Sequence, residues 1–133
     1  MATMVFVNFP VKDVKDSTRF YEALGFSLNP DFSNDDTSCM VWDDNFFIML
    51  LAHKKYQFFT PNRTIADSQK TSSALIAFSM SSPDEVKTFG EKATKNGGHV
   101  YQIETGISEE YMYGLEVQDL DGNTLEPMWM AQP

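Results

Sequence analysis

The sequence predicts an α+β fold, tandem βαβββ modules forming a cupped mixed sheet with the helices outside, and three observations predict it. Val5, Val7, Phe9 and Val11 alternate with Phe6, Asn8 and Pro10, a period of two that lines one sheet face with apolar side chains. The strand is followed at once by a capped helix. Sixty-nine residues later the pattern returns, with Ala74, Ile76, Phe78 and Met80 in the places of the four odd residues and Phe89 in that of Phe20. Each module then closes with a polar turn and a last apolar strand.

In the first module Asp13 stands where a helix N-cap belongs, and Asp16 in the first turn is favoured by the helix dipole. Phe20, Tyr21 and Leu24 share the buried face before Gly25 ends the helix. Ser27–Ser33 and Ser38–Asp43 are expected as short strands around the Asn34-Asp35-Asp36 turn. Phe46–Ala52 is so continuously apolar that both its faces must be covered. Residues 53–72 break the rhythm with Pro61, four cationic side chains and the aromatics Tyr56, Phe58 and Phe59. Twenty structureless residues with three aromatics would be unusual in a compact domain, so a partly helical segment packing over an opening is expected.

In the second module Ser82-Pro83-Asp84-Glu85 supplies a capping serine, a proline at the first helical position and a glutamate three residues after the cap. Val86, Phe89 and Ala93 form the buried stripe, and Asn96-Gly97-Gly98 stops the helix. His99–Glu104 and Tyr111–Gln118 are expected as strands flanking a polar loop. Asp119–Asn123 is a tight turn whose Asp-Gly supplies positive φ, and Thr124–Met130 is the last strand. The expected organisation is a single domain over 1–133, with module one at 1–52, a linker at 53–71 and module two at 72–131.

A chain of 133 residues with 42% hydrophobic content suits one core. No apolar run reaches the length of a membrane span, and the N-terminal stretch lacks the features of a signal peptide. Cys39 is the single cysteine, which excludes an internal disulfide and fits a reducing, cytoplasmic setting. A net charge of −9 argues against nucleic acid and anionic membranes as partners.

The pattern V-x-D-x-x-x-S-x-x-F-Y-x-x-L-G-F, carried by Val11, Asp13, Ser17, Phe20, Tyr21, Leu24, Gly25 and Phe26, and the closing D-x-D-G-x-x-x-E of Asp119, Asp121, Gly122 and Glu126 resemble the vicinal-oxygen-chelate superfamily. That group holds glyoxalases, bleomycin-resistance proteins and extradiol dioxygenases. The MYG of Met112–Gly114 and MWM of Met128–Met130 resemble a bacterial subgroup of predicted lactoylglutathione lyases. The resemblance implies a divalent metal in the cup, at positions that in this chain are Phe6, Met49, Leu75 and Glu126. Of these only Glu126 carries a donor for a hard cation. With His53 and His99 the only histidines, a histidine-rich site is excluded. Neither a metal nor another cofactor is therefore expected.

The cup is expected to be a mixed-lined pocket for a small organic molecule, drawing on Phe6, Asn8, Met49, His53, Leu75, Ala77 and Glu126. Tyr113 can bond a ligand or fill a dimer interface. Glu126 is either a catalytic general base raised in pKa by apolar neighbours or a carboxylate paired with Asn8, a tyrosine or water. Two functions follow: a metal-independent binding protein, or a metal-dependent lyase, isomerase or dioxygenase relative using Glu126. The abundance of 11 phenylalanines, 8 methionines and 5 tyrosines further predicts a homodimer.

Overall fold

The structure, a computed structural model, describes residues 2–132. It comprises two compact units, Met1–Asp67 and Ser68–Pro133.

In the first unit, β1 (Val5–Val11) leads into α1 (Val14–Leu24), then β2 (Ser27–Asn34), β3 (Thr37–Val41), β4 (Phe46–Ala52) and α2 (His53–Phe59). The sheet order is β1-β4-β3-β2, with β1 parallel to β4 and the other pairs antiparallel. Asp13 caps α1 by accepting the Asp16 N–H at 3.0 Å, and Gly25 closes it at φ 115°, the left-handed conformation for which glycine is the least costly residue. The α1 stripe of Phe20, Tyr21 and Leu24 is buried with Phe9, Val11, Ile48 and Leu50. Of the odd face of β1, Phe9 and Val11 are buried, whereas Val5, at the strand's start, stays half exposed. The expected helical piece of the linker is α2, which packs against β1 and β4.

In the second unit, β5 (Leu75–Ser79) leads into α3 (Pro83–Lys95), then β6 (His99–Tyr101), β7 (Met112–Gly114), β8 (Glu116–Gln118) and β9 (Thr124–Met130). The order is β5-β9-β8-β6, with β7 also pairing β9 and β5 parallel to β9. Ser82 caps α3 by accepting the Glu85 N–H at 3.1 Å, and Glu85 reaches back to accept the Ser81 N–H at 3.2 Å. Phe89 packs edge-on against Phe78 of β5, ring centroids 5.6 Å apart. The expected strand His99–Glu104 stops at Tyr101, and residues 102–111 run exposed. The expected strand Tyr111–Gln118 is divided at Leu115 into β7 and β8, which keep one register against β9.

Candidate functional site

The site grows from the turn between β8 and β9. Asp119, nearly fully buried, accepts the N–H groups of Asp121 at 2.9 Å and Asn123 at 3.0 Å on Oδ1. Its Oδ2 accepts the Asn123 side-chain amide at 3.0 Å. Gly122 takes φ 88° beneath the incoming chain, where Ser68 Oγ donates to Asn123 Oδ1 at 3.2 Å and Gln69 Nε2 to Leu120 O at 3.0 Å. A turn tied this tightly fixes the strand register it emits.

That register pairs Gln118 with Thr124 and Val117 with Leu125. It continues through Leu115, whose N–H donates to Pro127 O at 3.2 Å, to Gly114 opposite Met128, Tyr113 opposite Trp129 and Met112 opposite Met130. Glu116 therefore stands opposite Glu126. The bonds of Leu115 to Pro127 and of Ala131 to Tyr111 put the odd members of 111–117 at hydrogen-bonded pairs. Glu116 and Glu126 consequently form a non-hydrogen-bonded pair, the kind whose Cα atoms approach to about 4.5 Å and whose side chains lie closest.

Parity then divides the two faces. Tyr113, Val117, Leu125 and Pro127 are buried on one face, with α3 packed against β7, β8 and β9. On the other, Met112, Gly114, Glu116, Glu126 and Met128 line a cavity of about 430 Å³. Its remaining wall is the loop after β6, with Ile103, Ile107, Glu104 and Glu109. No lysine, arginine or histidine is among the lining residues. Burial, then a hydrogen bond with Glu126, then the charge of Glu126 raise the Glu116 carboxyl to about 7. Glu116 Oε2 is buried without a hydrogen-bond partner. The pair has the makings of a receptor for donors or of an acid–base couple working near neutrality.

Of the residues singled out from sequence, Glu126 lines this cavity, and Ala77 is its register partner on β5. Leu75 lies on the same face of β5, exposed. Tyr113 lies opposite Trp129 on the α3 face, buried, with Lys87 Nζ 5.3 Å from its ring centre. Burial and the charge of Glu109 raise its phenol pKa. The odd position of Tyr113 sets its face, since alternate residues of a strand face opposite ways.

In the first unit Asn8 lines a smaller cavity of about 370 Å³ with Leu51, Tyr56, Phe59 and Thr60, under α2. Phe6 stacks on Phe47 with centroids 4.5 Å apart, Met49 is the register partner of Asn8, and His53 opens α2 exposed. Glu116 is not legible as a site residue in the sequence. A carboxylate in a short strand resembles a solvent-facing residue, and only counting outward from the Asp119–Asn123 turn places it against Glu126.

A bleomycin-resistance-protein-like N-terminal family model matches residues 3–41. The chain superposes on a hypothetical protein from S. aureus with TM-score 0.76 and 25% identity, over 97% of this chain and 95% of that one. A glyoxalase/bleomycin resistance protein/dioxygenase family enzyme from Burkholderia phytofirmans gives TM-score 0.77 at 16% identity, over 98% and 100%. The chain has the vicinal-oxygen-chelate fold. A bleomycin-binding protein complexed with bleomycin shares that fold, with TM-score 0.64 and 17% identity over 98% and 100%. No curated protein matches the chain in sequence.

The side chains at the four positions that the resemblance assigns to a divalent metal do not suit such an ion. Phe6 and Leu75 carry no donor, Met49 offers only a thioether, and Glu126 alone is suitable. Among the described residues no group of three or more His, Cys, Asp or Glu side chains is placed to hold an ion.

Proposed function

We propose that this protein binds a small, partly apolar organic molecule with a cationic or hydrogen-bond-donating group, without a chelated metal, and that Glu126 governs binding electrostatically. The observation that carries this reading is the cavity itself: about 430 Å³, apolar on several sides, with carboxyl groups and no basic residue in its lining. Carboxylates facing apolar side chains are poorly solvated, and a cationic ligand restores what they lack. Bleomycin, the ligand in the complex with the same fold, is a natural first probe. Titration calorimetry with bleomycin and a panel of small organic cations should find a ligand whose affinity falls roughly tenfold in Glu126→Gln, the worth of one charge-assisted hydrogen bond. Equal affinity in the wild type and Glu126→Gln would refute the role of Glu126.

A second reading is favoured by the Glu116–Glu126 pair, because a carboxyl raised to about 7 suits a general acid or base. In it the protein is a lyase or isomerase, of lactoylglutathione-lyase type or related, with Glu126 catalytic. Turnover of a candidate substrate that Glu126→Gln abolishes without loss of binding would establish it.

The proposal places the protein in the reducing cytoplasm, as a homodimer. Cys39 is a buried free thiol, and no helix among the described residues is long and apolar enough to cross a membrane. Phe6 and Leu75 are about half exposed, apolar surface that a second copy would cover. A 15.1 kDa species in sedimentation at micromolar concentration would refute the dimer.

A further inference from the structure

Three relationships in the second unit bear on what kind of ligand the cavity accepts. Glu116 and Glu126 face one another across β8 and β9 at a close, non-hydrogen-bonded position. Two carboxylates directly opposite on a sheet repel one another once both are ionised, and nothing basic in the lining offsets that repulsion. Glu116 Oε2, moreover, is an acceptor shielded from water and left without a partner. A pair that violates sheet chemistry beside a cavity marks a place where binding, not folding, sets the residue choice.

We propose that Glu116 is the second anchor of the site, and that Glu116 and Glu126 together receive one nitrogen cation bearing at least two N–H donors, an amidinium, guanidinium or primary ammonium. The proposal rests on the reading of this cavity as a ligand site and names its ligand class. Two acceptors on opposite strands satisfy two donors on one head group, whereas a quaternary ammonium offers charge but no N–H. The sulfur-bearing side chains of Met112 and Met128 and the apolar Ile103 and Ile107 form the wall available to the rest of the molecule. Thioethers make favourable contacts with aromatic rings, so an aryl group attached to the cationic head suits that wall. A hydrated inorganic cation would gain little there, because apolar walls cannot replace its water.

The test uses three probes of similar size: benzamidine, neutral benzamide and phenyltrimethylammonium. Binding is followed by amide chemical shifts on the full-length protein and by calorimetry. Benzamidine should shift resonances of residues 102–128 and bind at least roughly tenfold more tightly than either control. Glu116→Gln and Glu126→Gln should each weaken benzamidine roughly tenfold, whereas Glu91→Gln, the same charge change on the exposed part of α3, should not. At pH 8 and above, where both carboxyls are ionised, Glu116→Gln should also raise the melting temperature, since it removes the like-charge opposition; a residue with a purely structural role would lower it. Benzamide binding as tightly as benzamidine, or Glu116→Gln leaving benzamidine affinity unchanged, would overturn the two-carboxyl receptor while leaving the cavity as a ligand site. If bleomycin and the wider cation panel bind but shift only resonances outside the cavity, both this inference and the reading beneath it fall.

Discussion

Glu116 stands across the β8–β9 ladder from Glu126, two residues back from the last pair before a turn, and its carboxyl is held near pKa 7. The folded state keeps this proton to a higher pH than the unfolded chain, where a glutamate titrates near its ordinary 4.5. Its contribution to stability is therefore fully present below about 4.5 and is lost as the pH rises through about 7. Melting temperature should fall across that window. In Glu116→Gln the fall should be shallower, and the difference between the two curves isolates this group from the repulsion of the net charge of −9. Parallel curves for wild type and variant would show that Glu116 does not hold its proton unusually.

Gly122 is predicted to be the least replaceable glycine of the second unit. Its φ is 88°, and a Cβ placed there would lie 2.5 Å from the Ser68 carbonyl oxygen, a backbone atom that cannot swing aside. Gly122→Ala should therefore cost more than the roughly 1 kcal/mol of an ordinary positive-φ substitution. Urea denaturation should show a lower midpoint. By contrast, Gly106, with φ 79° and open space around it, should lose only the conformational part.

The elements that sequence announces well are those decided by neighbouring residues. Asp13 and Ser82 cap their helices and Gly25 ends α1 because a cap needs only the side chain and the N–H three residues on. Glu126 can be singled out from sequence because the closing D-x-D-G-x-x-x-E pattern is continuous in the chain. The faces taken by Glu116 and Tyr113 are hard to read from sequence for one shared reason. Their faces are set by pairing with β9, and that pairing becomes visible only when the Asp119–Asn123 turn is used as an origin for counting. The strand expected at His99–Glu104 ends three residues early because Gln102, Ile103 and Glu104 continue an extended pattern yet find no ladder partner on β8. They leave the sheet and become one wall of the cavity.

Asp119 should matter more than its distance from the cavity suggests. It satisfies three donors of the turn, two of them on Asn123, which is itself buried. Asp119→Ala strands those donors away from water, at about 1–3 kcal/mol for each that stays unsatisfied. The expected result is a clear loss of stability by denaturant titration with the slope unchanged. Benzamidine affinity should fall as well, because the turn sets the register that brings Glu116 opposite Glu126. Full stability in Asp119→Ala would show that water replaces the carboxylate without cost.

The last prediction concerns metal removal. Chelator treatment should leave both melting temperature and ligand affinity unchanged, because the four positions that the resemblance assigns to a metal are Phe6, Met49, Leu75 and Glu126. A divalent ion bound through one carboxylate keeps most of its water and gains little from the protein, so it should wash off on dialysis. Adding zinc, nickel or manganese at modest excess should accordingly produce no stabilisation beyond weak, nonspecific association with an acidic surface. Elemental analysis after gel filtration gives the direct answer. One tightly held equivalent of metal, released by Glu126→Gln together with a lyase or dioxygenase activity, would replace the binding-protein reading with the enzymatic one. It would also mean that donors other than the four family positions complete the coordination, since a phenylalanine and a leucine cannot.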